Sequence, residues 1–130
     1  MGTIEGIRKH GFRKWYERQL VESHVYLVTM VLALVMTASG WELLTLRESF
    51  GELLWNGALV AAGAGLAVYS WRAYARTMIR AERVGSQASC AACRRYGFRA
   101  LPVSDAASAP HRLVAACRGC GHRWTIDTDG

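Results

Sequence analysis

Two long apolar runs organise this chain. Residues 25–41 (VYLVTMVLALVMTASGW) and 53–71 (LLWNGALVAAGAGLAVYSW) contain no Asp, Glu, Lys or Arg. A soluble helix or strand would interleave polar positions with a period near 3.6 or 2; these runs stay apolar throughout. As helices they would be about 26–28 Å long at 1.5 Å per residue, close to a hydrocarbon layer of about 30 Å. Two transmembrane helices are therefore predicted, over residues 24–46 and 53–71, joined by a short external loop at 47–52. Leu43, Leu44 and Leu46 lengthen the first, with Glu42 at the interface. Two buried core helices are the soluble alternative, but a 130-residue chain has little other protein to surround them. Ala38 and Gly40 mimic a signal-peptide cleavage site, yet the polar stretch before the run is long for a signal. The run is read as a permanent span.

The aromatic residues suit interfacial belts. Trp41, Phe50 and Trp55 flank the short connection, while Trp15, Tyr16, Tyr26, Tyr69, Trp71 and Tyr74 lie towards the opposite side. Within the second run, Gly57, Ala61 and Gly65 recur every four residues, a small-residue stripe that lets another helix approach closely. Packing within the hairpin is its expected use; a second copy or another membrane protein are the alternatives.

Charge orients the hairpin. Residues 1–23 carry five basic and three acidic residues, net +2, and residues 41–52 one against three, net −2. Residues 72–130 carry ten arginines against four acids, net +6. One Lys or Arg thus falls on the loop side and fifteen on the side of the termini, so the positive-inside rule puts both termini in the cytoplasm and the chain in the plasma (inner) membrane.

The flanks add detail. In residues 1–23, Ile4, Ile7, Phe12, Trp15, Tyr16 and Leu20 stand among basic residues, which predicts an amphipathic helix on the inner leaflet. Gly2 follows Met1, but Gly6 stands where a myristoylation motif wants Ser or Thr. Residues 72–89 read as a helical extension. In it Arg72, Arg76, Arg80 and Arg83 share one face, as a topology-setting collar or a docking surface for an acidic partner. Residues 84–89 (VGSQAS) read as a short polar hinge.

The chemistry lies in the last segment, residues 90–130. Cys90, Cys93, Cys117 and Cys120 form two C-x-x-C pairs separated by 23 residues, a complete tetrahedral thiolate set for Zn²⁺. Strands are expected at 96–103, 112–116 and 122–126, with a turn at 104–110 and a small core of Phe98, Leu113, Val114 and Trp124. So small a module needs metal for much of its folding energy. CRGCGHRW, residues 117–124, resembles the second knuckle of the zinc ribbons of transcript-cleavage factors and of many small bacterial proteins; the resemblance covers residues 90–126. The first knuckle departs from the C-P-x-C-G form of those ribbons, with Ala91 for Pro and Arg94 for Gly. The 104–110 turn holds Asp105 alone, without the acidic pair that binds catalytic Mg²⁺ in cleavage ribbons, so cleavage activity is not implied.

Alternatives remain at this site. A rubredoxin-like iron centre uses the same four thiolates, whereas disulfides are disfavoured in a reducing compartment. His111 and His122 are surplus to a Cys₄ site, and His10 and His24 are weak candidates for haem. Neither span holds a charge that would suggest a proton or ion path. The fold class expected is a membrane α-helical hairpin with a small all-β zinc-ribbon domain. The expected function is non-catalytic: an accessory or assembly subunit in contact with membrane lipid and a larger membrane-protein complex, or self-associating. No small-molecule substrate is expected. The alternative is a membrane-tethered nucleic-acid-binding or regulatory ribbon using its arginines with Tyr96, Phe98 and Trp124, and a redox subunit is a third reading.

Overall fold

The computed structural model describes residues 2–46, 49–102 and 111–128. Helix α1 spans Thr3–His10, α2 Phe12–Thr45 and α3 Phe50–Ser86; strands β1 (Phe98–Ala100), β2 (Arg112–Cys117) and β3 (Arg123–Asp127) follow. The chain divides into two compact units, Glu22–Arg76 and the combination of Met1–Val21 with Thr77–Gly130.

The first unit consists of the apolar lengths of α2 and α3. Both helices are long and apolar enough to cross a membrane, and in their most apolar 18-residue stretches only 11 % and 17 % of residues are buried. A core helix of a soluble protein would be mostly covered. Here Leu32, Val35, Leu54 and Trp55 stay exposed. Helix α3 starts in a reciprocal capping box: the Glu52 N–H donates to Ser49 Oγ, and the Ser49 N–H to Glu52 Oε2, each at 3.3 Å. The expected 47–52 loop is therefore shorter than its sequence suggested, because Phe50–Glu52 already belong to the helix. The S-x-x-E spacing was its signal. Arg47 and Glu48 lie outside the described residues.

The close helix approach falls on a different face from the expected stripe. A Cβ on Gly63 would meet Thr37 Oγ1 and lie 3.2 Å from both Ala33 O and Thr37 N, and one on Gly40 would lie 2.9 Å from Val60 Cγ2. A Cβ on Gly57 or Gly65 would meet nothing within 4 Å, and Ala61 is exposed. Hairpin packing through Gly57, Ala61 and Gly65 is thus corrected. Asn56, Val60, Gly63 and Ala67 recur at steps of four and three along one face, about 130° around the helix from the row of Gly57, Ala61 and Gly65.

The second unit is a three-stranded antiparallel sheet, ordered β1-β2-β3, packed with helical segments. Phe98 faces Cys117 across β1 and β2, and Leu113 faces Ile126 across β2 and β3. Alternation along β2 buries Leu113 and Ala115 on the core face while Arg112 stays exposed. The core joins Phe98, Leu113, Ala115 and Ile126 to Ile7, Phe12 and Trp15 from α1 and α2 and to Val84 and Ala88 at the end of α3. Trp124 and Ile4 are half-buried against it.

Two expectations change here. The amphipathic N-terminal segment was expected to present Ile7, Phe12, Trp15 and Tyr16 to lipid. Instead Ile7, Phe12 and Trp15 are buried in the sheet's core, with Tyr16 packed against it, because the ribbon is too small to bury enough apolar surface alone. Residues 84–89 do not form a polar hinge either. Val84 and Ala88 are fully buried, and Gln87 fastens the segment to β3: its amide accepts from Asp127 N–H and donates to Asp127 O, both at 3.0 Å, while its own carbonyl accepts the Trp124 indole N–H at 2.9 Å.

Candidate metal centre

The two C-x-x-C pairs are carried on tight turns. In the first knuckle the Arg94 N–H donates to Cys90 O and the Cys90 N–H to Arg95 O, each at 2.9 Å. In the second, the Cys117 N–H donates to His122 O at 2.8 Å. Each chain reversal puts the residue after its second cysteine in the left-handed region: Arg94 at φ 58° and Gly121 at φ 75°. Glycine takes that conformation freely, whereas a side chain with a Cβ adopts it at a cost of about 1–2 kcal/mol. The Gly-to-Arg departure seen in the first knuckle's sequence is therefore a strained position, held by the surrounding turn.

The reversals bring all four sulfurs within 4.8 Å of one another. Cys90 Sγ lies 3.6 Å from Cys120 Sγ, and Cys93 Sγ 3.4 Å from Cys117 Sγ, so each knuckle contributes one sulfur to each close pair. Sulfurs about 2.3 Å from a tetrahedral Zn²⁺ would be about 3.8 Å apart, so the donor set suits a tetrahedral thiophilic ion. Cys90 and Cys117 are buried, while Cys93 and Cys120 are exposed.

Backbone N–H groups favour thiolate. The N–H groups of Cys120 and Gly119 hold the Cys117 thiol down to about 6, and the Gly119 N–H lies 3.3 Å from Cys117 Sγ. The Cys93 N–H lowers Cys90 in the same way. At Cys120 the His122 N–H also favours thiolate, but the neighbouring Cys90 sulfur, desolvation and the other two sulfurs outweigh it and push the thiol up to about 11. Four acidic sulfur groups this close cannot all shed their protons without a cation among them.

The other sequence candidates fall as follows. Arg72, Arg76 and Arg80 are exposed on α3, and Arg83 is half-buried, its carbonyl accepting from the Gln87 amide at 3.0 Å and the Ser86 hydroxyl at 3.0 Å. Neither His111 nor His122 belongs to the sulfur cluster; the His122 ring stacks on Trp124, centroids 6.1 Å apart. Of the three rings considered for base stacking, Phe98 is buried and Trp124 is half-buried with its N–H engaged. Only Tyr96 is exposed. Asp105 and the 104–110 turn lie outside the described residues, as do Met1 and Asp129.

The sulfur cluster on a small antiparallel sheet fits a zinc ribbon. Compared with known proteins, the chain matches no family model, no curated protein and no solved structure.

Proposed function

We propose that this is a two-span membrane protein whose cytoplasmic Cys₄ zinc ribbon is structural, and that it serves as a non-catalytic accessory or assembly subunit of a larger membrane complex. The observation that carries this reading is the apolar surface left uncovered on α2 and α3. In water that surface would drive aggregation, whereas in lipid it is the ordinary exterior of a helix pair. Four thiolates close the coordination sphere of zinc and leave no position for a substrate or a reactive water. Metal at this site supplies folding energy and holds the two knuckles together.

Location of the termini rests on charge: one basic residue on the loop side against fifteen on the other. Zinc is favoured over iron by the second knuckle's sequence, CRGCGHRW. The ribbon's exposed arginines, among them Arg95, Arg99 and Arg118, suit an acidic protein surface.

Isolation of the full chain from its native membrane in mild detergent, followed by mass spectrometry and metal analysis, tests the reading. Co-isolation of a membrane complex with about one zinc per chain supports it. Recovery of the chain alone as a detergent-free soluble monomer would overturn it. So would labelling of the cysteines by an impermeant thiol reagent from outside intact cells.

A further inference from the structure

The unit that carries the ribbon also contains a cleft of about 370 Å³, within the size range of small-ligand sites. We propose that this cleft binds a planar aromatic anion of single negative charge. Its floor is made by the buried rings of Phe12 and Phe98, and its walls by Tyr16 and Tyr96. Phe12 lies 5.9 Å from Tyr16 and 5.7 Å from Tyr96, centroid to centroid, the latter edge-on. Four rings around one cavity offer π faces and edges that a flat aromatic body satisfies better than a flexible chain.

The charged groups select the sign. Arg13, Glu17 and Arg118 line the same cleft, two guanidiniums against one carboxylate. Arg13 Nε donates to Glu17 Oε1 at 3.0 Å, so that pair is internally balanced and Arg118 supplies the net positive charge. A monoanion completes the balance, and a guanidinium fork matches a carboxylate. The Tyr96 hydroxyl is neutral at about pH 7, and partial desolvation, then the nearby Tyr16, push its pKa further up, so it adds no competing negative charge.

Arg118 also ties the cleft to the metal centre, since it is one of the two residues between Cys117 and Cys120. Closing the second knuckle on a metal fixes the backbone from which the guanidinium extends. Metal removal is therefore expected to abolish anion binding.

The test uses the full-length, metal-loaded chain in lipid nanodiscs, with 2-naphthoate as probe and empty nanodiscs as the partition control. Calorimetric titration should show one saturable site per chain. Arg118→Ala and Tyr96→Ala should each weaken binding by about tenfold, the scale of one charge-assisted contact or one aromatic wall. The neutral 2-naphthamide and the non-planar cyclohexanecarboxylate should bind at least about tenfold less tightly. Metal content and amide-exchange protection of the sheet are measured on both variants. Tyr96 is 58 % exposed and lies outside the second knuckle, so its variant still decides the matter if Arg118→Ala loses metal. Absence of saturable naphthoate binding, equal binding of the amide, or unchanged affinity in a metal-loaded Tyr96→Ala chain would each overturn the proposal.

Discussion

The rings of Phe12 and Phe98 lie 4.7 Å apart, centroid to centroid, with their planes at 35°. One belongs to the first residue of α2 and the other to the first residue of β1, so the start of a long apolar helix is also part of the ribbon's core. This pairing makes the N-terminal segment a structural component of the metal module.

Phe12→Ala should therefore destabilise the sheet by about 3–5 kcal/mol, as expected for removing a buried aromatic ring. A module this small has little reserve beyond any metal it binds. Amide exchange across β2 and β3, compared between wild type and variant with metal bound, reads the effect. A fragment beginning at residue 85 should show the same loss, since it lacks Ile7, Phe12 and Trp15. Unchanged protection in Phe12→Ala would contradict the shared core.

Metal removal should unfold the sheet while α2 and α3 keep their helical structure in detergent. Cys117 is held at about 6 and is mostly thiolate at pH 7, whereas Cys120, pushed up to about 11, carries a proton that an incoming metal must displace. Metal binding at pH 7 should then release protons, and affinity should go on rising with pH towards about 11. Below about pH 6 the Cys117 thiolate is protonated as well and affinity should fall steeply. Zinc titrations in buffers of different ionisation enthalpy count those protons; a pH-independent affinity would contradict the arrangement.

Arg94→Gly should stabilise the first knuckle. At φ 58° the arginine bears the left-handed penalty that glycine escapes, partly offset by the greater freedom of glycine in the unfolded chain. A net gain of about 1 kcal/mol is expected, read as a higher melting temperature of the metal-loaded protein. Arg94→Ala, which keeps a Cβ, should show no gain.

Gly63→Ala should loosen the helix pair, and Gly65→Ala should leave it intact. A methyl at 63 would meet Thr37 Oγ1 and two backbone atoms of α2, whereas one at 65 has open space. Overpacking of that kind costs about 1–3 kcal/mol. Denaturation in mixed micelles, followed by fluorescence of the span tryptophans, distinguishes the two; equal effects would contradict the packing face described.

The two apolar runs and the two C-x-x-C pairs were legible in the sequence because both are local patterns. A run of uncharged residues states its own length, and a two-residue gap is enough to build a knuckle. The three strands were legible for the same reason. Which face of α3 meets α2 was not, because small residues populate several faces and only the crossing selects Gly63 over Gly57. Nor was the partner of Ile7, Phe12 and Trp15: an apolar stripe among basic residues has the same appearance whether lipid or a sheet covers it. Tertiary packing decided that question, since the ribbon's small core lacked apolar surface and the N-terminal aromatics supplied it.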